Sequence, residues 1–253
     1  MLEEQIIHSW DSRRDLIIPG DGEQTIAFAA EHWIHTAGRS IQERGRFAVA
    51  LSGGSTPKAI YQSLATHYKN SIDWKKVLLF WSDERAVPPT HPDSNYQMAM
   101  QSGLSALPIP PAQIFRMKAE AELEKNATDY EDILQRELGP HLFDLVMLGI
   151  GEDGHTASLF PKTAALQEST KLVVANQLPE KNTWRMTLTF PCIRDSRKAV
   201  LYAVGENKQA IVPLALRAAI VSPFPASAIG TSEHKSLWIL DRAAARLINR
   251  KIN

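Results

Sequence analysis

The sequence predicts an α/β fold, a mostly parallel sheet with helices on both faces, and three observations carry that expectation. Five short apolar runs, near Phe47, Val77, Leu145, Val200 and Leu237, are too brief for helices and read as buried strands. Segments with apolar residues at helical spacing separate them, the alternation of a parallel sheet covered on both sides. Glycine-rich or charged residues follow at least three of the runs, at the strand ends where open α/β sheets bind ligands. A chain of 253 residues can bury one large core, so residues 1–253 are read as a single domain.

Composition narrows the ligand classes. Lys and Arg total 28 and so do Asp and Glu, so no global field attracts nucleic acid or an anionic membrane. An anionic ligand must be gripped locally. Cys192 is the single cysteine, which rules out an intrachain disulfide and suits a reducing cytoplasm. The opening MLEEQIIHSWDSRRDL lacks the apolar core of a secretory signal, and no run approaches the roughly 18 apolar residues of a membrane span. A soluble, cytoplasmic protein is expected, and nothing in the sequence sets its oligomeric state.

Taken in order, Gln5 to Trp10 reads as an edge-like opening. Asp21, with Gln24 three residues on, starts a packing helix whose apolar positions include Ile26, Ala30, Trp33 and Ala37. The strand Phe47 to Leu51 runs into Ser52-Gly53-Gly54-Ser55-Thr56-Pro57, where Thr56 is the expected N-cap and Pro57 the first helical residue. Glycines at a helix N-terminus let backbone N–H groups approach a bulky anion at the positive end of the helix dipole, so a phosphate fits there. The plain alternative is a capped turn without a ligand. The loop is neither GxxxxGK[ST] nor GxGxxG.

Val77 to Trp81 ends in Ser82-Asp83-Glu84-Arg85. Arg85 offers a planar fork suited to phosphate, carboxylate or a developing oxyanion, with Asp83 and Glu84 holding it or facing solvent. A Pro-rich stretch then leads to a helix capped by Asp93 or Ser94, Ile114-Phe115 suggests a short strand, and Glu120 to Leu138 reads as a long surface helix. Leu172 to Ala175, Arg185 to Thr189 and Ala199 to Val204 are β-like, the last leading through Gly205 into a helix from Asn207 to Ala219. Lys208 in that helix's first turn is disfavoured by the dipole unless an anion sits beside it. After the strand Leu237 to Leu240, Asp241 is expected to cap a terminal helix.

The stretch around which the rest is organised is Phe143 to Pro161, FDLVMLGIGEDGHTASLFP. Its strand discharges into glycine-rich backbone carrying Asp153 and His155. A lone loop histidine is more often incidental than catalytic, and the other histidines have no partner at suggestive spacing. Asp153 changes the balance, because in extended backbone residues i and i+2 point to one side. The carboxylate can then engage one ring nitrogen and leave the other as a base. No HExxH or Cys/His cluster marks a metal site. Right-handed crossovers bring the strand ends to one edge, so the Gly53-Gly54 loop, Arg85 and His155 are expected in one pocket.

Four blocks, LSGGSTPKAIY, SDERAVPPTHPDSNY, GIGEDGHTASLFP and RMTLTFP, resemble in order and spacing the 6-phosphogluconolactonases of the glucosamine-6-phosphate isomerase/6-phosphogluconolactonase family, over nearly the whole chain. The resemblance implies a modified Rossmann-like sheet and hydrolysis of 6-phospho-D-glucono-1,5-lactone to 6-phospho-D-gluconate in the oxidative pentose phosphate pathway, without metal, nucleotide or other cofactor. It further implies His155 as general base oriented by Asp153, with Arg85 or backbone N–H groups at the oxyanion. The phosphate would lie on Gly53, Gly54, Ser55 and Thr56, neutralised by Lys208 and Arg185. Lys162 stands where a glycine is common and Gln209 where a small residue is usual, which bears on loop shape. An aminosugar-phosphate isomerase/deaminase needs further acid/base groups that Arg85 and Ala157-Ser158-Leu159 do not supply. A sugar-phosphate sensor of this fold would carry a DNA-binding extension, absent from the sequence.

Overall fold

The computed structural model describes residues 7–139 and 143–248. Its strands are β1 (His8–Ser9), β2 (Arg14–Ile17), β3 (Phe47–Leu51), β4 (Val77–Trp81), β5 (Asp83–Arg85), β6 (Leu145–Gly149), β7 (Val173–Leu178), β8 (Thr183–Leu188), β9 (Ala199–Ala203) and β10 (Ser236–Leu240). The helices are α1 (Gly22–Arg44), α2 (Ser55–His67), α3 (Asn95–Gln101), α4 (Leu123–Leu138), α5 (Phe190–Arg194) and α6 (Ile211–Arg217). Seven strands form one sheet in the order β1-β2-β10-β9-β6-β3-β4, parallel throughout except for the short pairing of β1 with β2. The expected fold class holds.

Burial explains why these runs are strands. Every residue of β3, β4, β9 and β10 is buried, the mark of strands covered on both faces. Side chains alternate across the sheet. Phe47 meets Trp33 of α1 edge to face at 4.9 Å, whereas Phe80 stacks on Phe115 at 4.7 Å and meets Tyr130 of α4. Helices α1 and α4 therefore lie against opposite faces. At the start of α1, Asp21 and Gln24 form the expected capping box, and Ala30, Trp33 and Ala37 are buried.

Several expectations need correction. Helix α2 is capped by Gly54, at φ 102°, rather than by Thr56, because only glycine takes that conformation without strain. Helix α4 begins at Leu123, not Glu120, and the segment after Gly205 is a 3-10 turn over Glu206–Lys208 followed by α6, not one helix from Asn207. Residues 242–247 form turns rather than a helix, and the rest of the expected terminal helix from 249 on lies outside the described residues. Ser94 caps α3, and Ile114 makes only an isolated bridge to Leu79. Gln5 and Ile6 of the expected opening lie outside the described residues. Two features went unread: β2, a short run behind three charged residues, and a second sheet, β5-β8-β7, which is antiparallel. That second sheet follows β4 directly, and Leu188 N–H donates to Ser82 O at 2.9 Å where the two meet.

Candidate active site

Beyond β3 the chain is pinned before it turns. Ser52 N–H donates to the buried Tyr61 hydroxyl at 3.0 Å, and that hydroxyl donates to Ser52 O at 2.8 Å. Gly53 has no room for a side chain, since a Cβ there would overlap the Asn95 amide. No side chain caps α2, so the N–H groups of its first turn remain available to a ligand at the positive end of the dipole.

The histidine loop leaves β6 through Gly149 and closes on itself, with Gly151 N–H donating to His155 O at 2.9 Å and Gly154 N–H to Gly151 O at 3.0 Å. Gly154 takes φ 80° with Phe224 packed against it, so Asp153 and His155 are joined by a turn and not by extended backbone. The expected contact nonetheless forms. Asp153 Oδ1 lies 2.5 Å from His155 Nδ1 and accepts the His155 N–H at 3.1 Å, an Asx turn that also orients the ring. With Nδ1 engaged, Nε2 is the ring's remaining polar atom. Burial lowers the imidazole pKa below its usual value, outweighing the carboxylates of Asp153 and Asp83 that push it up. Burial would raise the Asp153 carboxyl, but the His155 N–H and ring outweigh it and hold that group below the ordinary range.

Both arginines of the cavity come from the second sheet, and Lys208 from the 3-10 turn after β9. Arg85 and Arg185 are direct cross-strand partners of β5 and β8, an arrangement that is unfavourable unless something negative lies between or beside them. Burial and the Arg85 charge lower the Arg185 pKa. Arg85 Nη1 donates to Asp93 O at 2.6 Å, and Arg185 Nη1 donates to Trp184 O at 3.0 Å. Among the described residues no carboxylate forms an ion pair with Arg85, Arg185, Lys181 or Lys208. Asp83 and Glu84 do not face solvent, nor do their side chains hold the Arg85 guanidinium. Glu84 accepts from Arg85, Asn95 and Tyr96 N–H and from Ser94 Oγ, fixing the start of α3. Asp83 accepts from Ser158 Oγ at 2.6 Å and from Asn95 Nδ2 at 3.2 Å.

Gly53, Gly54, Arg85, His155, Arg185 and Lys208 line one cavity of about 300 Å³ at the carboxyl edge of the main sheet. Asp153 stands behind the ring and lines a smaller neighbouring hollow. Ser55 and Thr56 line a different, larger cavity of about 580 Å³ between α1 and α2, which includes neither His155 nor these cations. The histidine and the cations share the smaller one. Sequence reasoning left out several residues of its lining, among them Ser52, Asp83, Ser158, Phe160 and Lys181. Ser52, Asp83 and Ser158 adjoin motif residues and could have been read from them, whereas Lys181, in the turn between β7 and β8, carried no local signal. Among the described residues no group of three or more His, Cys, Asp or Glu side chains could hold a metal ion, and no helix is long and apolar enough to cross a membrane.

A family profile described as glucosamine-6-phosphate isomerases/6-phosphogluconolactonase matches residues 20–238. A 6-phosphogluconolactonase of Chlamydia trachomatis is 41% identical, with 91% of this chain and 89% of that one covered. The structure of a 6-phosphogluconolactonase from Trypanosoma brucei is similar at a TM-score of 0.80 and 28% identity, covering 91% of this chain and 97% of that one. A monomeric glucosamine-6-phosphate deaminase superposes at a TM-score of 0.76 and 24% identity, covering 92% and 99%, a likeness of fold alone.

Proposed function

The chain belongs to the glucosamine-6-phosphate isomerase/6-phosphogluconolactonase family and is a lactone hydrolase of the 6-phosphogluconolactonase kind, and from that premise we propose that His155 activates the water that opens the lactone. The substrate is 6-phospho-D-glucono-1,5-lactone and the product 6-phospho-D-gluconate. His155 Nε2 takes a proton from water as its oxygen attacks the ring carbonyl. The tetrahedral intermediate then collapses, the bond from the carbonyl carbon to the ring oxygen breaks, and the imidazolium returns its proton to that oxygen. Water is added and nothing else is consumed. Such general-base help contributes roughly 10²–10⁴ in rate.

Asp153 supports this role by holding Nδ1, which fixes the tautomer with Nε2 free. The developing oxyanion is assigned to Arg85 or neighbouring backbone N–H groups, a donor contributing about 3–4 kcal/mol when well placed. The 6-phosphate is assigned to the Gly53 and Gly54 backbone and the open turn of Ser55 and Thr56, with Lys208 and Arg185 neutralising it. A cytoplasmic setting is part of the proposal, in keeping with the free, buried Cys192. The observation that carries the reading is the meeting of a half-buried imidazole, a glycine turn without a side-chain cap and cations that form no ion pair among the described residues, all around one cavity.

Proton release from freshly prepared lactone near neutral pH, corrected for spontaneous opening, tests it. His155→Ala is expected to lower kcat by about 10²–10⁴, and Lys208→Ala to raise KM with kcat nearly kept. A His155→Ala enzyme as fast as wild type removes the mechanism. Ammonia release from glucosamine 6-phosphate would redirect the assignment within the family.

A further inference from the structure

Asp153 holds the imidazole at a single atom, which leaves the ring free to swing about that contact unless something fixes its plane. Phe160 does so. The two rings lie 3.9 Å apart and 19° from parallel, and the Nδ1 edge of the imidazole passes bare backbone at Gly151. Lys181 Nζ stands over the same phenyl ring, 4.4 Å from its centre. A ring at stacking distance fills one face, so the ammonium takes the other. Resting on the reading of His155 as the base, we propose that Phe160 and Lys181 are positioning residues: the stack Lys181–Phe160–His155 sets the imidazole plane and tunes how readily that ring takes up a proton.

The physical argument has a steric and an electrostatic part. Phe160, only 9% exposed, is a rigid wall. Its π cloud attracts a cation at either face. An ammonium on one face repels an imidazolium on the other and draws the π cloud toward itself, so Lys181 works against protonation of the ring. The charges facing His155 come from several elements. Asp153 on its own loop and Asp83 of β5 favour the protonated ring, Lys181 from the β7–β8 turn opposes it, and Arg85, Arg185 and Lys208 line the cavity opposite. Lys181 is exposed and makes no ion pair among the described residues, and its charge also favours the ionised Asp153 carboxylate.

The test follows the His155 ring by NMR titration of the whole enzyme, beside the pH profile of kcat/KM on fresh lactone. Lys181→Gln is expected to raise the His155 pKa and the acid limb of kcat/KM together by roughly half a unit to one unit, the effect of removing one charge at this range. Lys181→Arg is expected to restore both. Phe160→Leu is expected to lower kcat by about tenfold with KM within about threefold, as loss of orientation does, and Phe160→Tyr to recover it. An unmoved titration in Lys181→Gln overturns the stack whether or not lactone is turned over, and so does a change confined to KM. A shifted titration beside a His155→Ala enzyme of wild-type speed would fault the base reading underneath and leave the stack standing.

Discussion

His155 titrates in a direction that burial and its neighbours fix. Its pKa in the folded protein lies below the unfolded value near 6.5. On the proposed role of His155 as base the ring must be unprotonated, and kcat/KM is then expected to fall on acidification with an apparent pKa under 6.5. Stability follows the same sign. Because the unfolded chain takes the proton first, the group's contribution is complete above 6.5 and is lost as pH drops through the folded value. Urea midpoints measured across that window should decline more steeply for wild type than for His155→Gln. Asp153 raises the imidazole pKa, so Asp153→Asn is expected to move the acid limb to still lower pH while reducing kcat, by less than His155→Ala does. A limb that moved upward would contradict the contact between the two side chains.

Two elements bear the site's electrostatics and shape. Opposed Arg85 and Arg185 on β5 and β8 cost on the order of 0.2–1 kcal/mol without an anion. Arg185→Gln is accordingly expected to raise Tm by up to about 4 °C in phosphate-free buffer, and to shrink the upshift that millimolar inorganic phosphate gives wild type. At the turn after β3, Tyr61→Phe leaves both backbone groups of the buried Ser52 unpaired. A loss of about 1–3 kcal/mol in urea unfolding and a raised KM are expected. These elements also show what could be read beforehand. The capping pair Asp21 and Gln24, the fully apolar β3 and β4 and the glycine turn announce themselves locally. The second sheet does not, because Asp83–Arg85 looks like a charged loop until β8 pairs with it from about a hundred residues away in sequence. Asp153 was paired with His155 for the wrong geometric reason: i and i+2 meet through a turn at Gly154, which sequence spacing alone does not distinguish from extended chain. Lys181 reaches the cavity only through tertiary packing.

At the scale of the molecule, the buried layer beneath the main sheet is built on large rings that touch one another. Trp33 lies 4.9 Å from Phe47 and 5.5 Å from Trp74, so Trp33→Ala is expected to cost about 3–5 kcal/mol. Denaturant titration measures that loss, and KM in native buffer should stay near wild type because the tryptophan packs at the amino end of β3, away from the carboxyl edge of the sheet. Formal charge sums to zero over the chain, yet Lys181, Arg85 and Arg185 all belong to the small sheet or its turn, while the base and the glycine turn belong to the large one. In the proposed binding mode a phosphorylated ester would act as mortar between two slabs that meet along Ser82 and Leu188. Occupancy should slow amide exchange along Asp83–Arg85 and Thr183–Leu188 more than along β9 or β10, whose strands are fenced in already.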